Sequence, residues 1–145
     1  MVQDKWKIID NKNLADILLE VYGKNEEVLF SNILLAFLNI ITDKNQIKEE
    51  KEILMKLAAD SIPELIENFV NELIYLKDSK LLLFRGGKFK VSYTEKGLSL
   101  FAALKGQRLR RNIAIKTDIK ALTRHKFGVE KKGRGYYKVT MVFDI

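Results

Sequence analysis

Several residue types are scarce in this chain, and each scarcity excludes a class of protein or site. The sequence has no cysteine, which excludes disulfide frameworks and thiolate metal sites. Its single histidine, His125, cannot form a histidine metal cluster or a catalytic triad within one chain. One proline and eight glycines in 145 residues indicate a globular composition, not a disordered one.

Long hydrophobic segments are also missing. The most apolar stretch, residues 28–41, is apolar at 11 of 14 positions, whereas a membrane-spanning helix needs about 20 such residues. We interpret it as a buried helix, and the alternative is the centre of a homodimer interface. The N-terminus lacks the apolar region of a signal peptide. These features predict a cytoplasmic protein with no membrane partner.

Positive charge is concentrated at the C-terminal end of the chain. Residues 105–145 contain twelve Lys and Arg against three acids, a net charge of +9, whereas residues 1–104 carry −2. Such segregation is common in proteins that bind polyanions, so a nucleic-acid partner is expected. The same division predicts a helical core over 1–104 and a basic α/β extension over 105–145 that packs on it.

Hydrophobic spacing predicts four helices in the first half of the chain. They cover approximately Asn13–Tyr22, Glu26–Thr42, Gln46–Ala59 and Ser61–Asp78. Ser61 is the expected N-cap of the fourth helix, because its hydroxyl can accept a hydrogen bond from the first turn.

Strand-like alternation replaces helical spacing after residue 80. A hairpin is predicted with its turn at Gly86-Gly87, followed by a helix over residues 94–104. In the basic segment we expect a helix over residues 118–127 and then a second hairpin, whose last strand is Tyr136–Asp144.

The stretch Val91-Ser92-Tyr93-Thr94-Glu95-Lys96-Gly97-Leu98 is similar to the end of the wing in many bacterial and archaeal winged-helix regulators. Residues 46–104 resemble a winged-helix domain in their order of helix, turn, longer helix, wing and Thr-Glu-Lys-Gly helix start. The resemblance implies an α+β fold, mostly α, with a winged-helix-like core and two β-hairpins. It also implies a regulator that binds double-stranded DNA, in transcription or in plasmid or viral replication and segregation.

The sequence departs from the winged-helix pattern at the helix that would read the major groove. Residues 62–78 carry Glu64, Glu67, Glu72 and Asp78, and an acidic surface repels phosphate. The binding residues are therefore expected in the wing and the basic segment, where guanidinium forks and lysines suit phosphate oxygens. For the cluster of Arg108, Arg110 and Arg111 the alternative is a solvated helix end, and for the second hairpin it is an ordinary charged turn. The predicted nucleic-acid-binding residues are Arg85, Lys88, Lys90, Arg108, Arg110, Arg111, Lys116, Lys120, Arg124, Lys126, Lys131, Lys132, Arg134 and Lys138.

Catalysis is not predicted, and neither is a metal ion or a cofactor. Asp118 and Glu130-Lys131-Lys132 loosely match the Asp…Glu-x-Lys spacing of metal-dependent nucleases, which remains a minor alternative. Two further alternatives are open. One is an RNA- or ribonucleoprotein-binding module that uses the Tyr-rich basic hairpin. The other is a protein-interaction adaptor that docks through the acidic helix 62–78.

Overall fold

The protein is built mainly from β-strands. A computed structural model describes residues 5–10, 15–133 and 136–145, without the side chain of Asp10. The strands are β1 (Trp6–Asp10), β2 (Asp16–Gly23), β3 (Lys51–Ala59), β4 (Leu82–Thr94), β5 (Gly97–Arg108), β6 (Ala121–Lys132) and β7 (Tyr136–Asp144). The helices are α1 (Glu26–Ile41) and α2 (Ile62–Lys80), and a 3-10 turn covers Lys44–Gln46. The predicted mostly-α class is therefore wrong.

The strands form two antiparallel sheets. One has the order β1-β2-β7-β6 and the other the order β3-β5-β4. Helix α1 packs on β2 and β4, and α2 packs on strands of both sheets, so the helices join the sheets around one core. The boundary expected between residues 104 and 105 falls within β5, and β7 lies between β2 and β6.

Helix α1 matches its prediction and forms the centre of the core. The Asn25 side chain caps it by accepting a hydrogen bond from the backbone N–H of Val28 at 2.8 Å. Leu29, Phe30 and Ile33 are completely buried, because the helix is apolar on almost every side and packs inside its own chain. The apolar surface of α1 is thus not available for a dimer interface. No helix in the described part of the chain is long and apolar enough to cross a membrane.

Helix α2 also forms where it was predicted. Ser61 caps it, accepting a hydrogen bond from the backbone N–H of Glu64 at 3.3 Å, and Pro63 lies in the first turn. The helix ends at Leu81, which adopts a left-handed conformation with φ 56°. Capping residues identify this helix from local sequence alone.

Four predicted helices are strands in the structure. The segment expected as Asn13–Tyr22 forms β2, and its residues 13 and 14 lie outside the described range. The segments 46–59, 94–104 and 118–127 contribute β3, β5 and β6. In the segments that form β2, β3 and β5, apolar residues alternate as well as recurring at helical spacing, and pairing with distant strands decides between the two patterns. The residues of β6 do not alternate in this way, and its pairing with β7 makes it a strand.

The winged-helix prediction is wrong for the same reason. Gly86 and Gly87 are not a turn but lie inside β4, at a shift in its register with β5. The Thr94-Glu95-Lys96-Gly97 stretch is the hairpin turn between β4 and β5, where Gly97 takes a positive φ of 126°. Residues 46–104 therefore form a strand, a helix and a long hairpin instead of a helix-turn-helix with a wing.

The second hairpin is confirmed as β6 and β7. Tyr137, Val139, Met141 and Phe143 share the buried face of β7, as their alternation predicted. Gly133 begins the turn with φ 61°. Arg134 and Gly135 lie outside the described residues.

Candidate nucleic-acid interface

The predicted binding residues are distributed over both sheets and the connection from β5 to β6. The helix expected over residues 118–127 is a strand, so it offers no basic helical face to a groove. Lys88 and Lys90 lie on the β3-β5-β4 sheet, with Arg85 at the register shift in β4. Arg108 ends β5, and the other described cations lie after it, in the connection to β6 and in the β6–β7 hairpin. Arg134 is outside the described part of the chain.

Five of the predicted cations are engaged in ion pairs within the protein. The Arg110 guanidinium is bidentate on Glu50, with Nη1–Oε1 at 3.1 Å and Nη2–Oε2 at 2.6 Å. The hydrogen bond from Arg110 lowers the pKa of the Glu50 carboxyl below its ordinary value. The other four pairs are Lys116–Asp43 at 3.4 Å, Arg124–Glu67 at 3.1 Å, Lys132–Glu130 at 3.8 Å and Lys138–Glu20 at 3.0 Å.

The remaining cations of the basic segment are more available. Arg108, Arg111 and Lys120 are exposed and form no ion pair within the described residues. Lys126 is exposed with φ 59°, at an interruption of the β6–β7 pairing. Lys131 lies over the Tyr137 ring, with Nζ 5.7 Å from the centroid.

The outer face of the β3-β5-β4 sheet carries a cluster of exposed side chains, which the prediction of β3 and β5 as helices had missed. The members of this cluster are Leu54, Lys56, Lys88, Lys90 and Phe101. Directly opposite residues in a sheet have their side chains on the same face. Phe101 in β5 pairs with Lys56 on one side and Lys90 on the other. Leu54 and Lys88 flank Ala103 two residues further along.

The signal that could have found this cluster is alternation in β5. Leu98, Leu100, Ala102 and Leu104 are buried, whereas Phe101, between them, is 48% exposed. Leu54, on the same face, is 63% exposed, so Phe101 is not a single exposed apolar residue but shares the face with a second one.

A groove of about 250 Å³ opens beside this cluster. Gly86 and Gly87 form part of its wall. Neither has a side chain that could fill the groove. The groove has mixed charge, with Lys88 and Lys105 facing Glu52. Its other lining residues are Glu49 and Ala103.

Two carboxylates face each other at one end of the other sheet. Asp16 begins β2 and pairs directly with Asp144 at the end of β7. The backbone N–H of Lys120 donates to the Asp144 carbonyl at 2.8 Å, which places the main chain of Lys120 beside this end. Like charges directly opposite on a sheet are destabilising. Among the side chains that the structure describes, a set without that of Asp10, no group of three or more histidine and acidic residues could hold a metal ion.

A buried lysine borders a second cavity, of about 260 Å³. The Lys77 side chain is 5% exposed, and its Nζ donates to Asp118 at 2.7 Å and to Asp78. Burial alone lowers the pKa of Lys77, but the two aspartates outweigh it, so the pKa is raised. Leu81 and Ile115 make the cavity mainly apolar.

The overall structure is similar to the solution structure of protein 1598 of Methanobacterium thermoautotrophicum. The TM-score is 0.81 at 22% sequence identity, over 97% of this chain and 99% of that one. At this identity the likeness shows a shared fold.

Sequence relatives extend over almost the whole chain. The protein named "Protein archease" from Archaeoglobus fulgidus is 33% identical over 138 residues, covering 95% of this chain and 98% of its own length. Proteins of the same name from Sulfurisphaera tokodaii and Pyrococcus abyssi are 30% and 29% identical, each over 92% of this chain and 95% of its own length.

A family model decides the assignment. The model described as "Archease protein family (MTH1598/TM1083)" matches residues 6–145. With the observed fold, this match overturns the prediction of a winged-helix DNA-binding transcription regulator. The chain belongs to the archease family.

Proposed function

We propose that this protein acts in RNA processing, as a non-catalytic cofactor of an RNA ligase in tRNA splicing. The observation that carries the proposal is membership of the archease family over residues 6–145. Among the alternatives that the sequence left open, the RNA- or ribonucleoprotein-associated module agrees best with this role, and duplex DNA has no support.

The arrangement of the nuclease-like motif supports a non-catalytic role. Asp118 accepts a hydrogen bond from Lys77 at 2.7 Å, and Glu130 lies 3.8 Å from Lys132 on the β6–β7 hairpin. A metal-dependent nuclease needs its carboxylates together around the ion. Here each carboxylate has a lysine partner of its own, so we propose that neither takes part in metal-assisted hydrolysis.

Charge on the surface supports contact with RNA or with an RNA-bound enzyme. The exposed cations Arg108, Arg111 and Lys120 have no carboxylate partner in the described structure, so their charge is available to phosphates. We propose these three as contacts and assign the paired cations, such as Arg110, to holding the fold together.

A ligation assay tests the proposal. An archaeal RNA ligase would join cleaved tRNA halves with and without this protein, and the reaction would be stopped before completion. The amount of joined product per ligase molecule would be measured. We expect more product in the presence of the protein and none from the protein alone. Unchanged ligase output would contradict the cofactor role, and ligation or cleavage by the protein alone would contradict the non-catalytic role.

The unpaired cations can be tested in the same assay. We expect the Arg111→Gln/Lys120→Gln variant to lose part of the stimulation, and the matched variant Lys44→Gln/Lys80→Gln to keep it. Equal stimulation by both variants would remove Arg111 and Lys120 from the proposed contact.

A further inference from the structure

We propose that the outer face of the β3-β5-β4 sheet binds single-stranded RNA directly, with a base stacked on Phe101 and phosphates held by Lys56, Lys88 and Lys90. This goes beyond the cofactor role, because it gives the chain an RNA-binding activity of its own. The choice of RNA over DNA rests on the proposed function. The choice of a single strand rests on the sheet geometry.

The position of Phe101 is the first support. It lies on the central strand of the sheet and is 48% exposed, whereas the large apolar residues Leu98, Leu100 and Leu104 of the same strand are buried. Aromatic rings on an open sheet surface are stacking platforms for unpaired bases, and stacking accepts any base because each has a π-face. A duplex hides those faces, so an exposed ring on a sheet favours a single strand.

Lysines on both sides of Phe101 are the second support. Lys56 and Lys90 are its direct cross-strand partners. Neighbouring strands are about 4.8 Å apart, so these lysines flank the ring at a backbone separation of about 10 Å. A base stacked on the ring would place the sugar-phosphate backbone of the RNA within reach of a lysine on either side. Lys88 continues the positive edge along β4.

The charge of these lysines is not used inside the protein. Lys56, Lys88 and Lys90 are exposed, and none forms an ion pair within the described residues. Two acids, Glu49 and Glu52, line the adjoining groove. Glu52 is the cross-strand partner of Lys105, so that end of the face has little net charge. The phosphates are therefore assigned to Lys56, Lys88 and Lys90, and not to Lys105.

The adjoining groove offers a place for a second nucleotide. A Cβ at Gly86 would meet no atom within 4 Å, so the fold itself does not require glycine there. Gly86 keeps open a groove of about 250 Å³ next to Lys88. Leu54, which is 63% exposed on the same face, gives this end an apolar surface for a base or ribose.

Fluorescence anisotropy with labelled oligoribonucleotides of about 12 nucleotides tests the proposal on the full chain, since single-strand sites cover about 4–16 nucleotides. We expect Phe101→Ala to weaken binding by about 5- to 150-fold, the range that the loss of one stacked base predicts. Phe101→Trp should restore it. Tyr75→Ala is the matched control, because Tyr75 is 50% exposed on α2 and is not part of the outer face of the sheet.

The contribution of the lysines can be measured separately, from the dependence of the RNA affinity on salt concentration. For single strands the slope of log K against log salt is about −0.7 per phosphate contact, so Lys56→Gln/Lys90→Gln should make it shallower by about 1.4. The control Lys44→Gln/Lys80→Gln should leave the slope unchanged. Gly86→Val should fill the groove and weaken binding while the melting temperature is preserved.

Three outcomes would overturn the proposal. They are no measurable binding of single-stranded RNA, equal losses in the Phe101 and Tyr75 variants, and preferential binding of duplex RNA or of DNA. Circular dichroism of every variant separates a binding loss from unfolding. The ligation assay keeps the two proposals apart. If Phe101→Ala loses RNA binding but still stimulates the ligase, this face binds RNA independently of the cofactor role. If RNA binding follows the predictions but wild-type protein does not stimulate the ligase, only the cofactor role fails.

Discussion

Alanine should be strongly unfavourable at Gly106 and well tolerated at Gly86, although both glycines lie where β4 meets β5. A Cβ at Gly106 would come within 1.9 Å of the Leu83 carbonyl oxygen and 2.6 Å of the Phe84 Cα. Both atoms belong to the backbone, so no side-chain rotation can relieve the contact. At Gly86 the added Cβ would meet nothing within 4 Å.

The expected magnitudes follow from two opposing terms. Overpacking costs about 1–3 kcal/mol, and a backbone contact this short belongs at the upper end. Gly→Ala also stabilises by about 0.4–1 kcal/mol, because it restricts the unfolded chain. Neither glycine has a positive φ, so backbone conformation adds no further cost. Gly106→Ala should therefore lose about 2 kcal/mol, and Gly86→Ala should gain about 0.4–1 kcal/mol.

Thermal melting followed by circular dichroism measures both changes. For a chain of 145 residues, about 1 kcal/mol corresponds to about 2–4 °C, so Gly106→Ala should lower the melting temperature by about 4–8 °C. Gly86→Ala should raise it by about 1–4 °C. Urea denaturation should give the same order of stability. A Gly106→Ala protein as stable as the wild type would refute the close approach of β4 to β5.

Two further predictions concern ionised side chains. A hydrogen bond from Tyr22 and then one from Lys138 lower the pKa of Glu20 below 4.5, so its stabilising effect exists above pH 4.5 and is lost as pH falls through the folded-state value. Urea titrations should show that Glu20→Gln loses less free energy of unfolding at acid pH than wild type does. Equal losses in the two proteins would contradict this prediction. The pKa of Lys77 is raised above 10.5, so its stabilising effect is present below pH 10.5 and is lost at higher pH. At pH 7 the free energy of unfolding of Lys77→Met should stay within about 1 kcal/mol of wild type, because the aspartate partners of Lys77 are 52% and 58% exposed. Above pH 10.5 the variant should lose less stability than wild type.

Local signals predicted the elements whose ends are marked in the sequence. Helix α2 has a capping serine and a proline in its first turn, and α1 has a capping asparagine. The β6–β7 hairpin has glycine at its turn, and Tyr137, Val139, Met141 and Phe143 recur at every second position of its last strand. These features act over three or four residues, so a single sequence shows them.

The misassigned strands depend on partners far along the chain. In β3, Ile53 and Leu57 fit the inner face of a helix, but Ile53, Met55, Leu57 and Ala59 also fit one face of a strand. Pairing with β5 selects the strand, with Lys51 opposite Gly106. Such pairing is tertiary structure, which overrides local preference without leaving a local signal.

The availability of the positive charges also depends on tertiary structure. The +9 of residues 105–145 indicated a free polyanion-binding surface, but four of the five ion pairs formed by its predicted binding residues reach acids in the first part of the chain. Arg124 pairs with Glu67 on α2, for example, so an acid that argued against a recognition helix is a partner of the basic segment. Part of the charge segregation is therefore complementarity within one fold.

This complementarity changes where binding charge should be sought. A cation held by a carboxylate must give up that partner to bind phosphate, which reduces its net contribution. Lys56, Lys88 and Lys90 have no such partner in the described structure, yet they come from residues 1–104, whose net charge is −2. Net charge along the sequence thus points away from the sheet face that presents unpaired lysines around an exposed phenylalanine. For a polyanion, the charge that matters is what remains unpaired after folding.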